Sequence, residues 1–214
     1  MRILLTLSLF CFLLFACKNK KVKKQDEPVV INETTKVDVP PVQVPKDSIL
    51  LNLSKKILSA FKSKAYDSLA LFIHPDEGLR FSPNAFVDTA GHLKFTATRF
   101  KTEAGAKKQR KMTWGEFDGS GEPIEYTIGE YIREFVYDVD FLNPETRKVN
   151  EFIGGSTSQN NLLAVYTGCD FTESHFSGFE KKYEGTDWRS LRLVFKQKDG
   201  QYYLVGVVHD EWTI

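Results

Sequence analysis

The segment SLRLVFKQKDGQYYLVGVVHDEWTI, residues 190 to 214, constrains the fold more than any other part of the chain. It holds two strand-like runs joined at Lys198-Asp199-Gly200, and an Asp-Gly pair between alternating runs is a strong hairpin signal. On the first arm Leu191, Leu193 and Phe195 alternate with Arg192, Val194 and Lys196, so the first three share one face of a sheet. Arg192 could hold an anionic group, but it alternates out of that apolar face, so solvent exposure is the expectation. On the second arm Tyr202, Leu204 and Val208 face one way, and Tyr203, Val205 and Val207 the other. Apolar residues on both faces predict a strand covered on both sides.

Upstream, the folded part opens with KDSILLNLSKKILSAFKSK, in which Leu50, Leu53, Ile57, Leu58 and Phe61 fall on one helical stripe and Asp47 or Ser48 supplies the cap. A shorter amphipathic piece, YDSLALFI, carries Leu69, Phe72 and Ile73 and is stopped by His74-Pro75. LRFSPNAFV and HLKFT read as strands around the DTAG turn. Thr127 and Glu130 form a T-x-x-E capping box for IGEYIREFV, NNLLAVY reads as a short helix, and CDFTESHF alternates as a strand. Helices, strands, a helix, a short helix and then strands predict an α+β domain over residues 48–214 with a largely antiparallel sheet. The topology of residues 97–160 stays open at this level.

The chain begins MRILLTLSLFCFLLFAC. One positive residue, Arg2, precedes an apolar run from Ile3 to Ala16, which fits a signal-peptide core (residues 1–16) and falls short of the roughly 20 residues of a spanning helix. Leu14-Phe15-Ala16-Cys17 resembles the lipobox of bacterial lipoproteins. That resemblance implies an acylated Cys17 at the head of the mature chain, so that membrane lipid is the first expected partner and the protein is anchored rather than spanning. The alternative is a plain secretory signal with an incidental Cys17. Cys11 leaves with the signal and Cys17 carries lipid, so Cys169 remains as the single thiol and no internal disulfide can form. The fold must rest on its core, and 214 residues with 42% hydrophobic and 13% aromatic content can supply one.

Lys18, Lys20, Lys21, Lys23 and Lys24 follow the lipid site. They suit anionic head groups at about 1 kcal/mol each near the surface, or serve as a solvated spacer. Residues 25–47 contain Pro28, Pro40, Pro41 and Pro45 and read with the lysines as an extended tether over 17–47. Lys18 stands where an aspartate resembling an inner-membrane retention signal is absent, which points to the outer membrane if the cell has one. Basic residues interleaved with stacking aromatics are not found, which argues against nucleic acid.

TWGEFDGSGEPIEY, residues 113 to 126, offers Asp118, Ser120 and Glu122 at alternate positions. A calcium loop needs more carboxylates and a bidentate Glu further on, and a nucleophile elbow needs G-x-S-x-G between a strand and a helix. Asp-Gly-Ser-Gly is good turn chemistry, so a loop at the mouth of a pocket is the expectation, with neither metal nor cofactor. Among the histidines, His74 ends a helix, His92 follows a turn and is expected in solvent, and His175 and His209 lie near carboxylates. Glu173 with His175, and His209 with Asp210, are the candidate acid–base pairs. The plainer reading is that they bond backbone at the sheet's rim. Cys169 with His175 is a nucleophile only on paper, since a lone cysteine is commonly a small buried hydrophobe. Arg80, Trp114, Trp188, Tyr203 and Trp212 are candidate ligand-binding residues, the arginine for an anionic group and the aromatics for sugar or peptide, with core or rim as the plainer place for the tryptophans.

The long first helix leading into KSKAYDSLALFIHPD, and the aromatic-rich closing hairpin, resemble the nuclear transport factor 2-like (SnoaL-like) superfamily. That implies a curved, cone-like sheet wrapped on the N-terminal helices, with a concave pocket here lined by Trp188, Tyr203, His175 and His209. HPDEGLRFSP, TWGEFDGSGEPI, FVYDVDF, DWRSLRLVF and YLVGVVHDEWTI resemble an uncharacterised family of bacterial envelope lipoproteins, which brings no reaction with it. The expectation is a lipid-anchored, non-catalytic domain that binds a small molecule, glycan or envelope protein. A small hydrolase or isomerase using a His–carboxylate pair, and a structural docking module, are the competing readings.

Overall fold

The closing hairpin forms as its alternation dictates. In the computed structural model, which describes residues 44–155 and 159–213, β7 (Arg189–Lys198) and β8 (Gln201–Glu211) are antiparallel. They are joined through Asp199 and Gly200 at φ 50° and 78°, the pair of positive values a two-residue hairpin turn requires. The residues expected to form a signal peptide, Cys17, the lysine run and most of the expected tether lie outside the described residues. Among those described, no helix is long and apolar enough to cross a membrane.

Ahead of the hairpin come α1 (Lys46–Lys62), α2 (Tyr66–Ala70), β1 (Leu79–Ser82), β2 (Lys94–Phe95) and α3 (Ala97–Gly105). A small hairpin of β3 (Met112–Glu116) and β4 (Pro123–Tyr126) follows, then α4 (Ile128–Phe135), β5 (Thr146–Val149), α5 (Leu162–Val165) and β6 (Asp170–Phe176). The main sheet has the order β2-β1-β8-β7-β6-β5, and the second sheet is β3-β4. The fold is α+β. The main sheet is antiparallel except where β1 runs parallel to β8. Residues 97–160 therefore supply α3, a separate hairpin, α4 and one edge strand.

Local chemistry sets several boundaries. Thr127 and Glu130 make both halves of the capping box that starts α4, and the Thr96 hydroxyl accepts from the Arg99 N–H to start α3. The expected cap of α1 differs. Pro45 takes that position without a side-chain bond, and Asp47 lies in the first turn, where its charge favours the helix dipole. The alternation of β8 also differs, because its register against β7 shifts by one residue. Val194 pairs Gly206 and Phe195 pairs Leu204, which leaves Val205 as the extra residue of a bulge. Leu204 and Val207 therefore share one core, while Val205 and Val208 belong to the other.

The larger core lies between the sheet and the helices. Leu191, Leu193 and Phe195 meet Leu50, Ile57 and Phe61 of α1 there, each worth about 1.5–3 kcal/mol when fully buried. Phe81 sits at its centre, edge-on to Trp114 and Tyr131 at 5.8 Å each and stacked on Phe100 at 6.0 Å. On the sheet's other face Phe171, Val194, Val205 and Val208 pack with Val87 and Leu162, under loop segments and the short α5.

Candidate functional site

The Asp118–Glu122 stretch closes the β3–β4 hairpin as a turn. The Phe117 N–H donates to the Glu122 carbonyl at 2.9 Å, the Gly121 N–H to the Phe117 carbonyl at 3.0 Å, and the Ser120 hydroxyl accepts from the Glu122 N–H at 3.3 Å. Ser120 is thus a turn residue without a base beside it. Asp118 accepts from the Thr213 hydroxyl at 2.6 Å.

This turn stands at the mouth of an open cleft of about 650 Å³ between the hairpin and the segment Asn84–His92. Phe86 and Phe117 keep 44% and 37% of their surfaces exposed, leaving aromatic area for a ligand. Asp88, Glu116 and Asp118 supply carboxylates, and among the described residues no lysine or arginine lines the space. Trp212, 42% exposed, flanks an adjoining recess on the far side of Asp118 and Ser120.

His92 forms part of the cleft wall and is not solvated as its place after a turn suggests; it is 6% exposed. Its Nδ1 accepts the Asp88 N–H at 3.1 Å and lies 3.1 Å from the Ser82 hydroxyl. An accepting Nδ1 leaves the proton on Nε2. Burial pushes its pKa down to about 4, so the ring is neutral near pH 7. Gly115, at φ 120° beside the hairpin's register shift, gives the ring its room; a Cβ there would come within 2.7 Å of it. Hydrogen bonds from the Ala90 and Gly91 N–H groups hold the Asp88 carboxyl below its usual range, so the cleft stays anionic at neutral pH.

The candidate acid–base pairs are placed differently. Glu173 is buried, its Oε2 accepting from Arg192 Nε at 2.8 Å and its Oε1 from Ser190 Oγ at 2.6 Å and Gly154 N at 2.8 Å. Arg192 also donates through Nη2 to Asp210 at 2.7 Å. Arg192 is therefore 0% exposed, contrary to the expectation of solvent, because loop segments cover the second face of the sheet. Burial works to lower its pKa, but Glu173 and Asp210 outweigh it and the net direction is upward. His175 Nδ1 lies 2.8 Å from Ser190 Oγ, and burial lowers its pKa against the opposing pull of Glu173 and Glu145. Glu173 has both oxygens engaged by structural donors, so it is not a base waiting for a substrate.

His209 and Asp210 form no pair. Adjacent strand residues point to opposite faces, and His209 enters the helix-side core edge-on to Phe135 while Asp210 joins Arg192. Its nearest carboxylate is Asp138, at 3.5 Å. Trp188 is buried beside His175 with ring centres 5.9 Å apart, and Tyr203 stands edge-on to His74. Trp188, Tyr203, His175 and His209 thus do not converge on one concave pocket, since bulge and alternation send them to separate places. Trp114 is core, stacked on Tyr131 at 3.9 Å with its indole N–H donated to the Tyr126 carbonyl. His74 accepts the N–H groups of Asp76 and Glu77 on Nδ1, a structural role. Cys169 is half-buried with its pKa raised by burial, so it rests as thiol rather than thiolate. Arg80 projects from β1 and donates to the carbonyls of Thr89 and His92, bracing the cleft-forming segment from behind. Among the described residues no group of three or more His, Cys, Asp or Glu is placed to hold a metal.

No protein-family model, curated protein or solved structure matches this chain. The site therefore has to be read from its own chemistry. Asp118 was legible as part of a loop at a pocket mouth, and Trp212 as a candidate aromatic. Phe86 and His92 were not, and the available signal was an aromatic stranded in a Pro/Asn/Asp/Gly-rich segment without a packing period.

Proposed function

We propose that the protein is a lipid-anchored envelope protein whose domain is a non-catalytic binding module, with the cleft between Asn84–His92 and the β3–β4 hairpin as its site. The observation that carries this reading is the pairing of half-exposed Phe86 and Phe117 with Asp88, Glu116 and Asp118 in a cleft that no lysine or arginine among the described residues lines. Phenyl faces stack on the C–H face of a sugar ring, and carboxylates accept from its hydroxyls. Carboxylates without a counter-cation repel anions. The ligand class is therefore a neutral glycan. The membrane partner is lipid joined through Cys17, in the outer membrane if the cell has one. The resemblance to the nuclear transport factor 2-like superfamily belongs to the same proposal, supported by a long first helix against the sheet and a closing antiparallel hairpin. Engagement of Glu173 and Asp210 by Arg192 favours binding over catalysis.

The test is titration of the full chain in detergent micelles with a neutral N-acetylated amino-sugar oligosaccharide and with a polysulfated one. The neutral oligosaccharide binds, Phe117→Ala and Phe86→Ala each weaken it by about tenfold, and the polysulfated one does not bind. Absence of neutral-glycan binding at millimolar concentration, or indifference to both substitutions, would refute the reading.

A further inference from the structure

Behind the segment that forms one wall of the cleft lies a second, smaller pocket of opposite charge. It has a volume of about 210 Å³ and is lined by Glu77, Arg80, Lys94, Tyr166, Cys169 and Lys196 among others. Three cations face one carboxylate, and Glu77 is already shared between Lys196 at 2.6 Å and Lys94 at 3.9 Å. A space this size suits one small charged group rather than an oligosaccharide.

Arg80 decides what that group is. Its Nη1 donates to the carbonyls of Thr89 at 2.9 Å and His92 at 2.8 Å. Among the described residues its Nε and Nη2 have no acceptor. These two nitrogens form one edge of the guanidinium, with parallel N–H bonds at the spacing of two oxygens of a carboxylate or phosphate. In the sheet Arg80 is flanked by Lys94 on β2 and Gly206 on β8, so all three stand on one face. Gly206 leaves room for the Tyr166 hydroxyl, which a Cβ there would approach within 2.7 Å. That hydroxyl is buried and has no hydrogen-bond partner among the described residues. Burial pushes its pKa up to about 12, so it remains an O–H donor at neutral pH.

We propose that this pocket binds a small oxyanion, a carboxylate or phosphate group held in bidentate fashion on the Nε–Nη2 edge of Arg80. Tyr166 supplies a further donor, and Lys94 and Lys196 supply charge. The proposal does not depend on the glycan cleft, which no lysine or arginine among the described residues lines.

The experiment follows the arginine Nε–H resonances of the full chain in detergent micelles during titration with sodium phosphate, sodium acetate and, at matched ionic strength, sodium chloride. The expected result is a saturable shift of the Arg80 signal with phosphate or acetate and none with chloride. The tighter of the two identifies a tetrahedral or planar group as the natural ligand. Tyr166→Phe weakens binding by about tenfold and Lys196→Gln by several-fold, with the remaining resonances unmoved. Arg80→Lys keeps the charge but removes the fork and abolishes saturation. If Arg80→Lys fails to fold, the Arg80 signal of the unaltered protein and the Tyr166→Phe comparison decide. An Arg80 signal that does not saturate at tens of millimolar, that chloride shifts equally, or that Tyr166→Phe leaves unchanged overturns the proposal.

Discussion

The two faces of the main sheet are made from the same strands but solve burial differently. Toward the helices, β7 turns Leu191, Leu193 and Phe195 into a core of aliphatic and aromatic side chains. Away from them it turns Ser190, Arg192 and Val194, and the first two are as deeply buried as the leucines. The difference follows from what covers each face. A helix arrives with its backbone hydrogen bonds already made and needs only an apolar stripe opposite. A loop arrives with unpaired N–H and C=O groups that must find partners once water is excluded. Glu173 accepts the Gly154 N–H, Asn161 both accepts from and donates to Val87, His92 accepts the Asp88 N–H, and Arg80 donates to Thr89 and His92. Polar side chains on the second face are the counterpart of an irregular cover.

Removing Arg192 tests this contrast most severely. Arg192→Met leaves two buried carboxylates without their cation and should cost about 3–5 kcal/mol in urea unfolding. Adding Glu173→Gln and Asp210→Asn, which remove both charges while the amide oxygen at 173 can still accept the Gly154 N–H, should recover part of that loss; a single substitution without effect would show that the ion cluster does not hold the second face. On the helix face, Leu193→Ala should cost about 3 kcal/mol through lost transfer energy and a cavity, with no recovery from polar changes across the sheet.

Acid should separate the faces further. His92 has a folded pKa of about 4 against an ordinary value of 6.5, so the unfolded chain takes up the proton first. Its contribution is complete above about pH 6.5 and declines as pH falls toward 4, by at most about 3 kcal/mol. His92→Gln should flatten that part of the stability-versus-pH curve, and an unchanged slope would assign the acid sensitivity to other groups. The smallest effect is expected at Tyr166. Without an anion present, Tyr166→Phe removes a buried hydroxyl that has no partner among the described residues and should leave stability unchanged or raise it by up to about 1 kcal/mol, as read from the thermal midpoint.

The features legible in the sequence were those fixed by neighbours along the chain. The Asp199-Gly200 hairpin, the Thr127–Glu130 box, the short α5 and the alternation of β6 each depend on a few consecutive residues. The expectation that β8 is covered on both sides also agrees with its two cores. Arg192 illustrates the limit, because alternation tells which face a residue takes but not what lies over that face. The Val205 bulge has no local signal, and it redirects every residue after it. The separation of His209 from Asp210 follows from the period of a strand alone, whereas the burial of His92 depends on a contact with Gly115 that no spacing announces. The turn of the candidate site was legible as a loop at a pocket mouth; its opposite wall, an aperiodic segment, was not.

The position of β8 in the sheet has a consequence for the timing of folding. Residues 201–211 are made after the other strands, yet they occupy an interior place between β1 and β7. Before they emerge from the ribosome, β1–β2 and β5–β6–β7 are separate fragments, each with an open edge where β8 belongs. Neither fragment can complete the core by itself, and pairing of strands so distant in sequence is slow. The sheet would therefore remain open until Glu211 is free. Closure then joins the two fragments in one late event, as Gly206 settles between Arg80 and Val194.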